Sequence, residues 1–510
     1  MATFHIANFG CRATQADAAA IERQLLARGC APSAQAAEAD VVVINTCTVT
    51  ANADSQARQA IRRFHAQNPQ ARILVTGCYA QRAPEELAQI AGVSWVVGNA
   101  HKPEIGRLLE CGGLTPLSSG QACTRGKPTA AFLPMGQIAG MKAHSLAAGP
   151  AKILIGDISA QTEVLVAPVF ENDADPSALL GAAHTRPILK IQDGCDSRCT
   201  YCVIPFVRGR SRSLAPARVV AEILQLTGAG YQEIVLSGIN LGSYGRDLSP
   251  RVALLDLLRR ILDQTPLARP RLSSIEPQDV TQELVDLVAA SNRIARHFHI
   301  PLQSGSDRIL AAMRRWYRAA HYARKIELIH ERIPAAAIGA DVMAGFPGES
   351  EDDHRATMDF IARLPFSYLH VFSFSKRPGT AAENLPDEIP PHVIKRRSRE
   401  LRALAEEKKA AFRASQVGST LRVLTLGVQG FGDAQGRDRL QPVRTSGDED
   451  GALAPEVPQG PWTAAISDNY LSLRIPGHHP RNQFLVVQVA TDGAHLPSGV
   501  ANTAKVENRN

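Results

Sequence analysis

Short apolar runs alternate with helix-spaced stretches through the first hundred residues. Residues 4–7, 41–44, 73–75 and 93–97 read as strands, and 15–28, 54–67 and 84–90 carry helical spacing. This alternation predicts a parallel sheet flanked by helices. The unbroken Val41-Val-Val-Ile44 run suits a strand covered on both faces. The alternation resumes at Ile188. Six strand-like runs begin near Ile188, Ile234, Leu272, His297, Ile338 and Leu369, with helical patterns near 217–227, 252–264, 281–290, 318–332 and 352–363. Six such units predict an open (β/α)6 partial barrel with its function at the carboxyl ends of the strands. Beyond Gly418 the period falls to two, as in Leu471, Leu473, Ile475 and in Leu485, Val487, Val489. That pattern predicts a small antiparallel β-barrel. The fold class expected is α/β, in three parts.

The segments between these parts change character. Residues 1–111 form the first unit. The stretch 112–152 is rich in Gly, Ala, Ser and Pro with weak periodicity, and reads as a flexible insertion. Residues 153–390 make the core. A charged helix follows over 391–417, with Ile394, Leu401, Leu404 and Phe412 as its apolar stripe. Its Lys395, Arg396, Arg397, Arg399 and Arg402 read as a solvated face, or as a contact for RNA. The barrel covers 418–498, and 499–510 is a tail.

Composition narrows the class. The 510 residues are 45% hydrophobic and 21% charged, as expected of a chain with a sizeable core, and the net charge of +7 favours a polyanionic partner. Nine cysteines, an odd number, argue against a complete disulfide framework. The start lacks a basic stretch followed by an apolar region, and no apolar run is long enough to span a membrane. A cytoplasmic location is expected, where reduced thiols can bind metal.

Cys195, Cys199 and Cys202 form a C-x3-C-x2-C run within Asp193-Gly-Cys-Asp-Ser-Arg-Cys-Thr-Tyr-Cys202. Three thiolates on one loop can grip a 4Fe–4S cube and leave one iron without a protein ligand. A zinc knuckle would need a fourth ligand, and no other Cys or His lies between Pro187 and Leu267. Plain buried cysteines are the remaining alternative. Cys11, Cys47 and Cys78 each follow a predicted strand, so they gather at the carboxyl edge of one sheet, where open α/β sheets place ligands. They are either core cysteines or a second cluster site. Cys30, Cys111 and Cys123 lack this placement.

The 195–202 loop resembles the signature of radical S-adenosylmethionine (SAM) enzymes, with Tyr201 at the aromatic position that packs beside SAM. The blocks Asn8-Phe-Gly-Cys-Arg-Ala-Thr-Gln-Ala-Asp17, Asn45-Thr-Cys-Thr-Val-Thr50 and Thr76-Gly-Cys-Tyr-Ala-Gln81 resemble the N-terminal domain of the methylthiotransferases. That resemblance implies a second, auxiliary 4Fe–4S cluster on Cys11, Cys47 and Cys78. It also implies SAM contacts along the strand ends. Leu236-Ser-Gly-Ile-Asn240 stands where the family has a glycine-rich turn, though Gly238 is alone there, and Ser237 and Asn240 flank it. Ser274, Glu276, Gln303, Asp341 and Gly345 follow in order at later strand ends. Asn469-Tyr470 and the strands around it resemble the TRAM domain, an RNA-binding barrel.

The family's activity is expected to follow. SAM cleavage at the first cluster yields a 5′-deoxyadenosyl radical that takes hydrogen from C2 of a modified adenosine. Sulfur from the auxiliary cluster then enters at that carbon, and a second SAM methylates it. The partners implied are the anticodon stem-loop of tRNA, an electron donor such as flavodoxin or ferredoxin, and a sulfur source. Thr48-Val-Thr50, the stretch that follows it and Gly238-Ile-Asn-Leu-Gly-Ser-Tyr-Gly245 look most like the threonylcarbamoyladenosine-specific branch. The isopentenyladenosine branch, the branch that modifies an aspartate of a ribosomal protein, and a non-enzymatic iron–sulfur RNA-binding module are the rivals. A threonylcarbamoyl group carries a carboxylate, so an arginine is expected near the cluster mouth, with Arg208 and Arg210 nearest by sequence. Phosphate contact or loop solvation is the alternative for both.

Overall fold

The computed structural model describes residues 2–111, 151–166, 185–429, 462–490 and 493–495, so most of the expected 112–152 insertion and all of the 499–510 tail lie outside the described residues. The first unit contains strands β1 (Thr3–Asn8), β2 (Ala31–Pro32), β3 (Val41–Thr46), β4 (Arg72–Gly77), β5 (Val93–Val97) and β6 (Lys152–Leu154). Its helices are α1 (Arg12–Leu26), α2 (Ala51–Gln67), α3 (Cys78–Arg82), α4 (Pro84–Ala88) and α5 (Ile105–Cys111). The strands pair in parallel in the order β2-β1-β3-β4-β5-β6. Every residue of β3 is buried, because successive side chains point to opposite faces and both faces are covered. Val42 and Ile44 pack with Ala57, Ile61 and Phe64 of α2. Val41 and Val43 pack with Ile21 and Leu25 of α1 and Ile105 of α5. Residue 152 was expected to end the insertion and residues 153–154 to open the core. They instead pair with β5 and close the first sheet.

The second unit begins with β7 (Ile188–Lys190) and a two-stranded pair, β8 (Gln192–Asp193) and β9 (Arg212–Ser213), with α6 (Ile204–Arg208) between them. There follow α7 (Pro216–Gly228), β10 (Glu233–Ser237), α8 (Leu254–Gln264), β11 (Arg269–Leu272), α9 (Gln282–Ala290), β12 (His297–His299), α10 (Asp307–Ala312), α11 (Ala319–Arg332), β13 (Ala337–Ala344), α12 (Glu351–Arg363) and β14 (Tyr368–Ser373). Strands β7-β10-β11 and β12-β13-β14 form two parallel triplets, joined by a parallel bridge between Ser274 and His299. The result is a six-stranded partial barrel with strands in chain order. Strand β11 starts before the expected Leu272 because Arg269 and Arg271 hide its pattern. Arg271 Nε meets buried Glu233 at 2.7 Å, so two arginines occupy core positions as ion-paired residues.

The long helix α13 (Pro391–Gln416) packs against β14 and α12. Its basic face is only partly solvated. Lys395, Arg399 and Arg402 are exposed, whereas Arg397 is buried and donates to Glu349 Oε2 at 2.8 Å. The last unit is a curled antiparallel sheet of β15 (Thr420–Gln429), β16 (Trp462–Ser467), β17 (Ser472–Pro476), β18 (Phe484–Ala490) and β19 (Gly493–His495), in the order β17-β16-β15-β18-β19. Among the described residues it is a half-barrel whose two edge strands approach each other without forming a ladder. It is fastened to the core through Arg271, which donates to the carbonyls of Ser467 (2.8 Å) and Asp468 (2.9 Å).

Candidate active site

Parallel pairing of β1, β3 and β4 brings their carboxyl ends side by side, and each end leads into a cysteine. Cys11 caps α1, Cys47 follows β3, and Cys78 opens α3 directly after β4. Two glycines make the convergence possible. A Cβ on Gly10 (φ 140°) would lie 2.6 Å from Cys47 Cβ, and one on Gly77 (φ 105°) would lie 2.2 Å from the Thr46 carbonyl oxygen. Both positions therefore need a residue without a side chain. Cys47 and Cys78 are buried and Cys11 is exposed. Burial, then the neighbouring sulfurs of Cys11 and Cys78, push the Cys47 thiol up to about 12. Such thiols ionise when a metal takes the proton's place, so the donor set fits a sulfur-ligated metal centre.

The second set of cysteines lies on the loop between β8 and α6. All three are free thiols of intermediate exposure. Burial pushes Cys202 up to about 12 and raises Cys199 as well. Arg315 Nη1 donates to Cys199 Sγ at 3.4 Å while its other nitrogen pairs with Glu276. The Asn240 amide nitrogen stands 4.0 Å from Cys195 Sγ, and its Oδ1 is buried without a partner. An orphaned acceptor beside Cys195 and a half-buried carboxylate held by the arginine on Cys199 suit a ligand carrying an amino group. These residues fit a three-thiolate iron–sulfur cluster with SAM beside it.

The other expected contacts fall at or near the strand ends. Ser237 is the buried last residue of β10, with Gly238 next to it. Tyr201 packs among Ile309, Met313 and Phe346. Ser274 bridges to His299, and Gln303, at φ 67°, pairs with Val342. Asp341 accepts from His299 Nε2 at 3.0 Å and His370 Nδ1 at 3.2 Å, three groups whose ligand atoms lie within 4.8 Å of one another. Gly345, at φ 81°, follows β13 and abuts Ile394 of α13.

Arg208 corrects an expectation. It is 2% exposed and bonded to Asp193 (3.0 Å) and Asp17 (3.0 Å), leaving no free end for a substrate. Arg210 is exposed. Lys190 and Lys102 also converge on Asp17. Burial alone would raise the Asp17 carboxyl, but Lys102, Lys190 and Arg208 outweigh it and hold it well below the usual range. Sequence reasoning missed this network and missed Arg315. The only local signal was Asp17 closing the first cysteine block. The network joins two units whose cysteine sets share a wall, since Cys78 packs with Val203 and Val207, which follow Cys202. Asn99 Nδ2 spans the same wall, donating to the Val207 carbonyl at 2.6 Å and standing 3.7 Å from Cys78 Sγ.

Similarity to known proteins follows the same two units. The model of "Uncharacterized protein family UPF0004" matches residues 3–98, and that of the Radical SAM superfamily matches 189–361. The threonylcarbamoyladenosine tRNA methylthiotransferase MtaB of Aquifex aeolicus is 35% identical, over 82% of this chain and 91% of its own length. Its Bacillus subtilis namesake is 34% identical, over 83% and 85%. A tRNA-2-methylthio-N(6)-dimethylallyladenosine synthase from Syntrophobacter fumaroxidans is 32% identical, over 86% and 88%. Among solved structures, the radical SAM methyltransferase TsrM from Kitasatospora setae, with cobalamin and a 4Fe–4S cluster bound, superimposes with TM-score 0.51 at 17% identity, covering 75% of this chain and 77% of that one. That likeness speaks to fold alone. Identity above 30% across most of both lengths, over both cysteine-bearing units, places the chain in the radical SAM methylthiotransferase family.

Proposed function

We propose that the protein inserts a methylthio group at C2 of N6-threonylcarbamoyladenosine beside the anticodon of tRNA, using SAM. The observation that carries this reading is the packing of Cys78, from the first cysteine set, against Val203 and Val207, which follow Cys202 of the second. In this reading Cys195, Cys199 and Cys202 hold one 4Fe–4S cluster, and Cys11, Cys47 and Cys78 hold the other. Tyr201, Ser237, Gly238, Asn240, Ser274, Glu276, Gln303, Asp341 and Gly345 line the strand ends around SAM. Bound there, the clusters and SAM supply a hydrogen-abstracting radical, a sulfur atom and a methyl group. The chain's own residues hold and shield. Asn240 offers its free oxygen to the amino group of SAM. Arg315 keeps a positive charge against Cys199 and fixes Glu276. The ion network on Asp17 keeps the two cysteine sets in register.

A C–H bond on an aromatic ring is too inert for acid–base chemistry alone, which is why two sulfur-rich sites serve one product. An anticodon-loop base can be splayed out of its stack to reach them. A reductant of the flavodoxin or ferredoxin class, a sulfur source and a cytoplasmic location complete the reading. Among the described residues no helix is long and apolar enough to cross a membrane. Mass spectrometry of tRNA nucleosides from a strain lacking the gene tests the proposal. The methylthio form of threonylcarbamoyladenosine should vanish and its unmethylthiolated precursor accumulate. Loss of the methylthio isopentenyl nucleoside instead would move the protein to the other tRNA branch.

A further inference from the structure

The inner side of the partial barrel carries a run of rings with opposite charges at its two ends. Tyr368, His370 and Phe372 alternate along β14, so they share one face. Ring centroids lie 5.3 Å apart for Tyr368 and His370, and 6.5 Å apart for His370 and Phe372. The Tyr368 hydroxyl meets His297 Nε2 at 2.8 Å and His299 Nδ1 at 3.0 Å. Tyr470, from the C-terminal sheet, stacks on His297 at 4.4 Å. It does so with φ 66°, a strained conformation for a bulky residue. Neighbouring Asn469 anchors that corner by donating to the Ala335 carbonyl (2.9 Å) and Gln416 Oε1 (2.8 Å). His370 and Phe372 are exposed, which leaves ring faces open to an unstacked base.

The negative end is Asp341. Burial works against its charge, but His299 and His370 outweigh it and hold the carboxyl well below the usual range. The positive end is Arg12. This residue directly follows Cys11, is half-buried, and donates to the Tyr470 hydroxyl at 3.4 Å. Its charge reaches His297 and Tyr368. Among the described residues no carboxylate meets Arg12, whereas Arg82, Arg208, Arg271, Arg315 and Arg377 each have an Asp or Glu partner. A half-buried guanidinium with only a long hydroxyl contact is an open site for an anion.

We propose that Arg12 is the specificity-determining residue that pairs with the carboxylate on the N6 substituent of the target adenosine, beside Cys11 and at the positive end of the ring run. The inference rests on the threonylcarbamoyladenosine reading and assigns to Arg12 the role first expected of Arg208. It also gives a reason for the Tyr470 corner, which holds the guanidinium in place from a distant part of the chain. An isopentenyl group would leave Arg12 facing an apolar chain, so the same residue disfavours the rival substrate.

The test measures equilibrium binding of the reconstituted holoenzyme to three labelled anticodon stem-loops. One carries threonylcarbamoyladenosine, one its neutral amide in place of the carboxylate, and one plain adenosine. Wild type should favour the acid over the amide by about ten- to a hundredfold, the scale of a charge-assisted hydrogen bond. Arg12→Gln should bind acid and amide alike, and Arg12→Lys should regain part of the preference. Because Arg12 adjoins Cys11, iron content of each variant is measured, and Arg12→Lys carries the test if Arg12→Gln loses iron. An undiminished preference for the acid in both variants overturns the inference. So does an equal loss on all three stem-loops, which would make Arg12 a phosphate contact. A wild-type enzyme blind to the carboxylate would overturn the substrate reading itself, and that outcome is visible before any variant is made.

Discussion

Asp17 of α1 and Arg208 of α6 form a buried ion pair at 3.0 Å, tying the sheet of Cys11, Cys47 and Cys78 to the loop of Cys195, Cys199 and Cys202. The contact makes domain geometry part of the chemistry, because sulfur and radical must meet at one carbon.

Asp17→Asn should therefore destabilise the protein by about 3–5 kcal/mol, the cost of leaving buried cations without their counter-charge. The pH dependence has a definite sign. Asp17 is held below its ordinary value, so its contribution is full above about pH 4 and is lost as pH falls through the lower folded-state value. Thermal midpoints of wild type and variant should differ at neutral pH and converge in acid. Equal midpoints at pH 7 would remove the pair from the stability account.

Cys199→Ala should abolish 5′-deoxyadenosine formation and methylthiolation together, because the cluster would lose one of three protein ligands and Arg315 its sulfur partner. Anaerobic reconstitution followed by chromatography of the adenosine product decides this. Wild-type yield from the variant would take Cys199 out of the site.

Cys47→Ala should separate the two activities. SAM cleavage should persist while methylthio product is lost, and bound iron should fall by about one cluster in two. Cys47 lies against Gly10, with Cys11 and Cys78 as its neighbouring sulfurs. A variant with normal methylthiolated product would contradict the auxiliary role.

Much of this was legible in the sequence, for reasons that also explain the gaps. The strand at 41–44 reads clearly because both its faces are buried, and Cys11, Cys47 and Cys78 read as one group because parallel strands align their ends. Strand β11 was blurred because Arg269 and Arg271 sit in the core on Glu233. Lys152–Leu154 was misplaced because a long segment separates it from the sheet it joins. Arg315 on Cys199, and Arg12 on Tyr470, pair across 116 and 458 positions, and local periodicity carries no trace of such contacts. Arg208 was assigned by nearness in sequence, which says nothing about burial.

The C-terminal sheet gives a further test. Removing it would strip Arg269 and Arg271 of backbone partners, so a point change is cleaner than truncation. Arg474 is exposed, with its guanidinium 4.6 Å from the Trp462 ring centroid. Arg474→Ala should weaken tRNA binding and lower the salt-dependence slope by about one, the signature of one lost phosphate contact. An unchanged slope would move the RNA footprint to Lys395, Arg399 and Arg402 of α13.

The central claim is most directly tested by giving the reconstituted enzyme, SAM and a reductant two purified tRNAs, one bearing threonylcarbamoyladenosine and one bearing isopentenyladenosine. Nucleoside mass spectrometry should find the methylthio group on the former alone, accompanied by 5′-deoxyadenosine. Methylthiolation of the isopentenyl tRNA in its place, or SAM cleavage that leaves both tRNAs unmodified, would contradict the account.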